Sequence, residues 1–280
     1  MIRRASVPVA LATLGCAGLF GNPYDDISAG VHHTCVLQAD GWVMCWGKGD
    51  DEATSSPDVR FIQISAGDQH TCGITTDQTA RCWGSDDAGQ SKAPEGVFSQ
   101  VAAGSRTSCG VRADGTLQCW GDPDEGLLDE PAGAYTSVDL LGRAACAIAV
   151  TGLVTCWGEN AQYPPAGVFR QVAVGPDRAC GIRTDDAIEC WGGDAEDWFV
   201  GVPDGRYAEV DVGQDFACAR PVEDSLMMCW GTAVDGQIPA PFGLYDEVTV
   251  GVHHACAIDR FGYLSCWGRD NDGMASPPIE

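Results

Sequence analysis

The tripeptide Cys-Trp-Gly occurs seven times in 280 residues, at Trp46, Trp83, Trp120, Trp157, Trp191, Trp230 and Trp267. A second cysteine precedes each copy. The pairs are Cys35/Cys45, Cys72/Cys82, Cys109/Cys119, Cys146/Cys156, Cys180/Cys190, Cys218/Cys229 and Cys256/Cys266, and first cysteines recur every 34 to 38 residues. Other columns keep step. Eleven residues before each first cysteine stands an aromatic: Tyr24, Phe61, Phe98, Tyr135, Phe169, Tyr207 and Tyr245. Three places on comes Ile or Val, and five before the cysteine comes glycine, except that the fourth repeat has Leu141 there and Gly142 next. Such a period is the mark of a repeat architecture.

Each repeat reads as β. Apolar residues alternate with small or polar ones, and glycine and proline punctuate every unit. One strand runs from the aromatic to the glycine, a second carries the first cysteine, and a third ends in Cys-Trp-Gly. The polar, proline-containing stretch that follows is expected to hold a short fourth strand. Pairing Cys35 with Cys45 leaves Ala39-Asp40-Gly41 as a three-residue turn, whose last position calls for left-handed backbone. Gly41, Gly115, Gly152 and Gly262 satisfy it; Gln78 and Asp186 should be mildly strained.

Cysteines facing each other on antiparallel strands lie close enough to bridge. One disulfide inside each hairpin is predicted, each contributing about 2–3 kcal/mol in the chain-entropy treatment. The alternative, zinc, wants two to four residues between paired ligands, and the gap here is nine in most repeats. Seven disulfides call for an oxidising compartment.

A unit this short cannot bury both faces, so neighbours must stack. Open solenoids end in atypical polar caps. Here the first and last repeats are typical, and they match each other: Gly30-Val31-His32-His33-Thr34-Cys35 against Gly251-Val252-His253-His254-Ala255-Cys256. The expectation is an all-β, closed seven-bladed β-propeller with repeats starting near 24, 61, 98, 135, 169, 207 and 245, and with residues 24–280 as one domain.

The run from Val101-Ala102-Ala103-Gly104 through Asp114-Gly115 to Trp120-Gly121 resembles the regulator of chromosome condensation repeat family, and blade one matches as well. The resemblance implies a seven-bladed propeller that binds proteins on a face. Activity varies in such a family, and fold does not fix it. Two lysines only, Lys48 and Lys92, argue against chromatin binding like that of the family's exchange factor. Seven of the nine tryptophans define the repeat, which argues against a light-receptor cluster. The paired cysteines look like the version of these repeats in exported bacterial proteins.

Met1–Arg4 is basic and residues 5–14 are mostly apolar, a signal-peptide pattern too short to span a membrane comfortably. Leu14-Gly15-Cys16 resembles the end of a lipoprotein box, which would lipidate Cys16; cleavage after Ala17 is the other reading. Residues 1–16 are thus assigned to the signal and 17–23 to a linker reaching about 25 Å from Cys16. Loss of Arg3 and Arg4 takes the net charge from −24 to −26. That excludes nucleic acid and favours a basic or apolar partner.

No nucleophile–base pair, phosphate loop or recurring carboxylate pair emerges, so the chain is read as non-enzymatic and without cofactor. His33, His70 and His254 fall in consecutive blades of a closed ring, two residues before the first cysteine. Packing or hydrogen bonding, as in the family motif, and a divalent metal are both open to them. Acidic clusters (Asp50–Glu52, Asp86-Asp87, Asp122 to Glu125, Asp270–Gly273) are read as solvated loops or as calcium ligands. Trp42, Tyr263, Trp198 and Phe199 lie outside the repeat columns and are candidate partner anchors. The expected protein is an exported, lipid-anchored, monomeric, protein-binding propeller of the outer membrane or cell surface, otherwise periplasmic or secreted. The alternatives are a secreted inhibitor that caps an enzyme and a calcium- or carbohydrate-binding adhesin.

Overall fold

A computed structural model describes residues 22–49, 52–159, 161, 163–193, 202–223, 226–232 and 236–278. Its strands form seven three-stranded antiparallel sheets, each made of consecutive strands. In blade one the inner strand is Tyr24–Ala29, the middle strand His33–Gln38 and the outer strand Val43–Gly47. The other inner strands begin at the predicted aromatics, from Phe61 to Tyr245.

The paired cysteines face each other in every blade, with Cα atoms 4.0 or 4.1 Å apart. The disulfides are Cys35/Cys45, Cys72/Cys82, Cys109/Cys119, Cys146/Cys156, Cys180/Cys190, Cys218/Cys229 and Cys256/Cys266. The two ends of each bridge differ. The first cysteine, on the middle strand, is buried in every blade, whereas Cys45, Cys82, Cys119, Cys156, Cys190, Cys229 and Cys266 are only half-buried. A middle strand has a strand on either side, and an outer strand has one on a single side.

The three-residue turns take the expected shape. Gly41, Gly115, Gly152 and Gly262 have φ between 83° and 91°, and Gln78 and Asp186 adopt the same left-handed backbone at 64° and 72°. Those two side chains carry the steric cost that glycine avoids.

The core lies between blades. The disulfide of one blade packs under the aromatic, the β-branched residue and the tryptophan of the next: Cys35 and Leu37 against Phe61, Ile64 and Trp83. The residue after the first cysteine follows the aromatic across from it. Where the inner strand opens with Phe61, Phe98 or Phe169, that residue is Gly73, Gly110 or Gly181, and a Cβ there would lie 2.5–2.7 Å from the phenyl ring.

The expected fourth strand is absent among the described residues. The segment after Trp-Gly turns inward instead of running along the outer strand. The reason is a latch. Seven places after Trp46, Trp83, Trp120, Trp230 and Trp267 stand Ala53, Gln90, Leu127, Gln237 and Met274, all buried. Each carbonyl accepts the indole N–H of the following blade's tryptophan at 2.9–3.0 Å. A left-handed residue precedes each one: Glu52, Gly89, Gly126, Gly236 or Gly273.

The last latch closes the ring, since the Met274 carbonyl accepts from Trp46 Nε1 at 2.9 Å and Thr34 Oγ1 at 3.0 Å. Blade seven and blade one also meet at the inner strands, where Ile27 N donates to Glu247 Oε1 and Ala29 N to Thr249 Oγ1. Among the described residues no strand is exchanged between them.

Candidate functional site

Three regions of the ring hold polar or exposed chemistry: the axis, the seams and the face bearing the hairpin turns.

At the axis a cavity of about 70 Å³ is lined by inner strands of all seven blades. The inner edge of each strand lacks a strand partner, and side chains of the preceding blade cap its free amides. Asp26, Gln63, Gln100, Gln171, Glu209 and Glu247, two places after the aromatic, accept from Ile64, Val101, Val138, Val210, Val248 and Ile27 N. Ser28, Ser65 and Thr249, two places further on, accept from Ala66, Ala103 and Ala29 N.

Blades three and five carry Ala102 and Ala173 in that second column and can cap nothing. The following blades compensate with aspartate. Asp211 accepts from its own neighbour Val212 N at 2.9 Å and from Val250 N at 2.6 Å. Asp139 does the same for Leu140 and Val174. Burial raises both carboxyl groups, and with the charge of Asp139 nearby Asp211 is pushed up to about 7.

At the seams the three predicted histidines are fully buried. His33 Nε2 lies 2.7 Å from Thr71 Oγ1, His70 Nε2 2.8 Å from Ser108 Oγ and His254 Nε2 2.7 Å from Thr34 Oγ1. Each hydroxyl donates onward to a latch carbonyl, of Ala53, Gln90 or Met274. The hydroxyl must therefore accept from the ring, so the proton sits on Nε2. Burial, helped by a neighbouring histidine, lowers the imidazoles to about 4, 3 and 3, and all are neutral. The three rings point across three different seams. Among the described residues no three His, Cys, Asp or Glu are grouped to hold a metal. Several acidic loop residues have partners within the protein: Asp270 accepts from Ala275 N and Ser276 Oγ, Asp86 pairs with Lys92, and Asp272 lies 2.9 Å from His32 Nδ1. Asp50 and Asp51 fall outside the described residues.

The third region is the face carrying the turns between middle and outer strands. The inner strands start there too, as Ala39 N donates to the Pro23 carbonyl and Phe61 N to that of Gly41. Trp42 is half-buried under the Arg60 guanidinium, 5.3 Å from its ring. Tyr263 is 71% exposed, and its turn neighbour Phe261 73%. Phe242, just before the inner strand of blade seven, is 89% exposed. Val150 and Leu153 flank the turn of blade four and are exposed as well. The opposite face bears the seven turns between inner and middle strands, and no exposed large apolar side chain lies on them. Trp198, Phe199 and Cys16 lie outside the described residues.

Phe261 and Phe242 were not singled out in the sequence. Phe261 shares its turn with Tyr263, and that adjacency was the available signal. The latch residues were missed too, although the glycine that usually precedes them recurs at a constant distance from the tryptophan.

No curated protein matches the sequence. The family model of the Regulator of chromosome condensation (RCC1) repeat matches residues 24–52, 61–90 and 98–126. Among solved structures, the CRINKLY WD40 ectodomain of the Arabidopsis thaliana receptor kinase ACR4 is similar, with a TM-score of 0.76 at 24% identity over 92% of this chain and 99% of that one. The ectodomain of the Physcomitrella patens receptor kinase CR4 gives 0.75 at 20% over 87% and 73%. Yeast RCC1 (Prp20), solved bound to Kap60, gives 0.56 at 15% over 92% and 72%. These likenesses are of fold. The chain is thus a seven-bladed β-propeller with a disulfide in every blade, and its first three repeats match the RCC1 repeat model.

Proposed function

We propose that the protein is an exported, non-enzymatic propeller, tethered to the cell envelope through a lipid on Cys16, that binds another protein on its hairpin-turn face. The distribution of apolar side chains carries this reading: Phe242, Phe261 and Tyr263 stand exposed on the hairpin-turn face, the inner-to-middle turns of the other face bear no large exposed apolar side chain, and Tyr163 lies apart in the loop after Trp157. Exposed aromatic side chains are effective interface anchors because they bury much area at little entropic cost. Trp42 and Tyr263 mark this face on adjacent blades, and Trp198 and Phe199 are proposed to extend it on blade five.

Seven disulfides fit an oxidising compartment. No helix among the described residues is long and apolar enough to cross a membrane. Yeast RCC1 was solved with a protein partner, Kap60, which supports protein binding by this fold as an analogy. The strongly acidic composition favours a basic or apolar partner.

Cross-linked affinity capture from the native envelope tests the reading, with the mass of the mature N-terminus measured in the same preparation. Trp42→Ala with Trp198→Ala should abolish capture of the partner that the unaltered chain retains. Undiminished capture by that double variant would reject the assigned face.

A further inference from the structure

Of the six three-residue hairpin turns, only that of blade seven carries an aromatic on both sides of its left-handed residue. Phe261 and Tyr263 flank Gly262, whereas the same two positions hold Asp77 and Thr79 in blade two, Asp114 and Thr116 in blade three, and Asp185 and Ala187 in blade five. Both rings are largely solvent-exposed, and the turn is held by side-chain hydrogen bonds. Asp259 Oδ1 accepts from Phe261 N at 2.8 Å and from Tyr263 N at 2.9 Å, and Gly262 has φ 84°.

This turn is also where the described chain begins. A Cβ on Gly262 would lie 2.2 Å from Pro23 Cδ, so the turn packs directly on the ring of Pro23. Cys16 is six residues before Asn22, a span of at most about 22 Å fully extended. A lipid on Cys16 would hold this corner of the propeller beside its bilayer.

We propose that the aromatic turn of blade seven is a bilayer contact, with Phe261 and Tyr263 seated in the headgroup region of the membrane that holds the Cys16 lipid. The proposal rests on the anchoring reading above and deepens it. Aromatic rings settle at the membrane–water interface, where an apolar body meets a wet rim. A mature chain of net charge −26 is repelled by anionic headgroups, so the contact must be apolar and suits a zwitterionic surface. A lipid tether and an apolar contact side by side also supply the two signals that hold a protein stably on a membrane. Tyr263 is thereby reassigned from the protein partner to the lipid, and Trp42, Phe242 and the other turns of the face are left for a protein partner held at the same surface.

The test uses the full mature chain in phosphatidylcholine proteoliposomes and in native envelope vesicles. The photoreactive residue p-benzoylphenylalanine replaces Phe261 in one preparation and Asp114, at the matching place in blade three, in another. Intact mass reports whether Cys16 is acylated. An acylated chain should give roughly tenfold more lipid adduct from position 261 than from 114. An acylated chain with equal adducts at the two positions, or with a protein adduct at 261 in envelope vesicles, overturns the bilayer contact while the anchor stands. An N-terminus without acyl chains overturns the anchor, and this contact with it.

Discussion

The seams joining blades seven, one, two and three differ from those joining blades four to seven, although the repeat is the same. In the first group a buried neutral histidine donates to a hydroxyl of the next blade, and hydroxyls from Ser28, Ser65 and Thr249 cap the inner strands. In the second group alanine alternates with aspartate, and Asp139 and Asp211 each cap two amides from within the ring. Both solutions satisfy the same backbone groups, which must be paired once buried. They respond in opposite senses to protons, and they tolerate substitution differently.

The largest contrast is expected in the glycine column. A Cβ on Gly251 would stand 2.2 Å from the Gly30 carbonyl oxygen, and backbone cannot yield cheaply. Gly251→Ala should therefore cost about 3 kcal/mol or more and open the ring at the blade-seven seam. Gly104→Ala meets Leu140 Cδ1 first, at 2.6 Å, and that side chain can move. It should cost about 1–2 kcal/mol. Equal losses of melting temperature in the two variants would contradict this account.

Next comes the histidine. His254→Ala removes the donor to Thr34 and leaves a cavity at the closing seam, for about 2–4 kcal/mol in chemical denaturation. A loss under about 0.5 kcal/mol would mean that the relay through Thr34 to Met274 contributes little.

Exchanging one chemistry for the other is a finer test. Asp211→Ser keeps a cap for Val250 but leaves Val212 N uncapped, and should destabilise by about 1–3 kcal/mol. Adding Ala173→Ser restores the pattern of blades one and two. A coupling of about 1 kcal/mol in the double-mutant cycle is expected, and strict additivity would refute the compensation.

The pH dependence separates the halves. The three imidazoles are depressed from 6.5 to about 4, 3 and 3, so the unfolded chain takes up protons first and stability is lost as pH falls below 6.5. Asp211 is raised from 3.8 to about 7, so its contribution runs the other way and stability is gained as pH falls through that window. Melting temperature should fall below pH 6.5, less steeply in His254→Ala and more steeply in Asp211→Ser. Parallel curves for all three proteins would argue against these assignments.

The smallest effect concerns the two strained turns, one in each half. Gln78→Gly should stabilise by about 0.5–1 kcal/mol by relieving a left-handed side chain. Asp186→Gly should gain less, because Asp186 also pairs with Arg170 at 3.0 Å and with Arg206 at 2.7 Å. A larger rise in melting temperature for Asp186→Gly would reverse that ranking.

Much of the fold was legible because the features that specify it are local and repeated. A cysteine pair across a three-residue turn sets the register of a hairpin, and the position of Gly41 or Gln78 in that turn sets its backbone. The unequal burial of the two cysteines was not legible, because Cys72 and Cys82 look alike until one strand is seen to be central and the other outermost. The latch was hidden because its residues, Ala53, Gln90, Leu127, Gln237 and Met274, share no chemistry. Their common property is a carbonyl, and every residue has one. The missing fourth strand follows from the same cause in five blades, where the segment after Trp-Gly serves the next blade's indole instead of pairing.

The candidate site was legible only in part. Tyr263 and Trp42 stood out because they break the pattern of their columns. Whether such a side chain is exposed depends on its neighbours: Arg60 covers Trp42, and among the described residues nothing comparable covers Tyr263. The role of Asp139 and Asp211 depends on an alanine one blade earlier, which makes sense only once the blades are arranged in a ring.

The sequence by itself determined the seven units, the disulfide in each, the turn geometry and the likeness between the first repeat and the last. These are short-range matters, decided by spacing, backbone sterics and the reach of a disulfide. Only the tertiary structure decided how the ring closes through the Met274 latch, how the histidines divide among three seams and which hairpin turns expose their aromatics. Those outcomes depend on groups 30 to 228 residues apart, such as Met274 with Trp46, whose contact exists only after all seven blades are stacked.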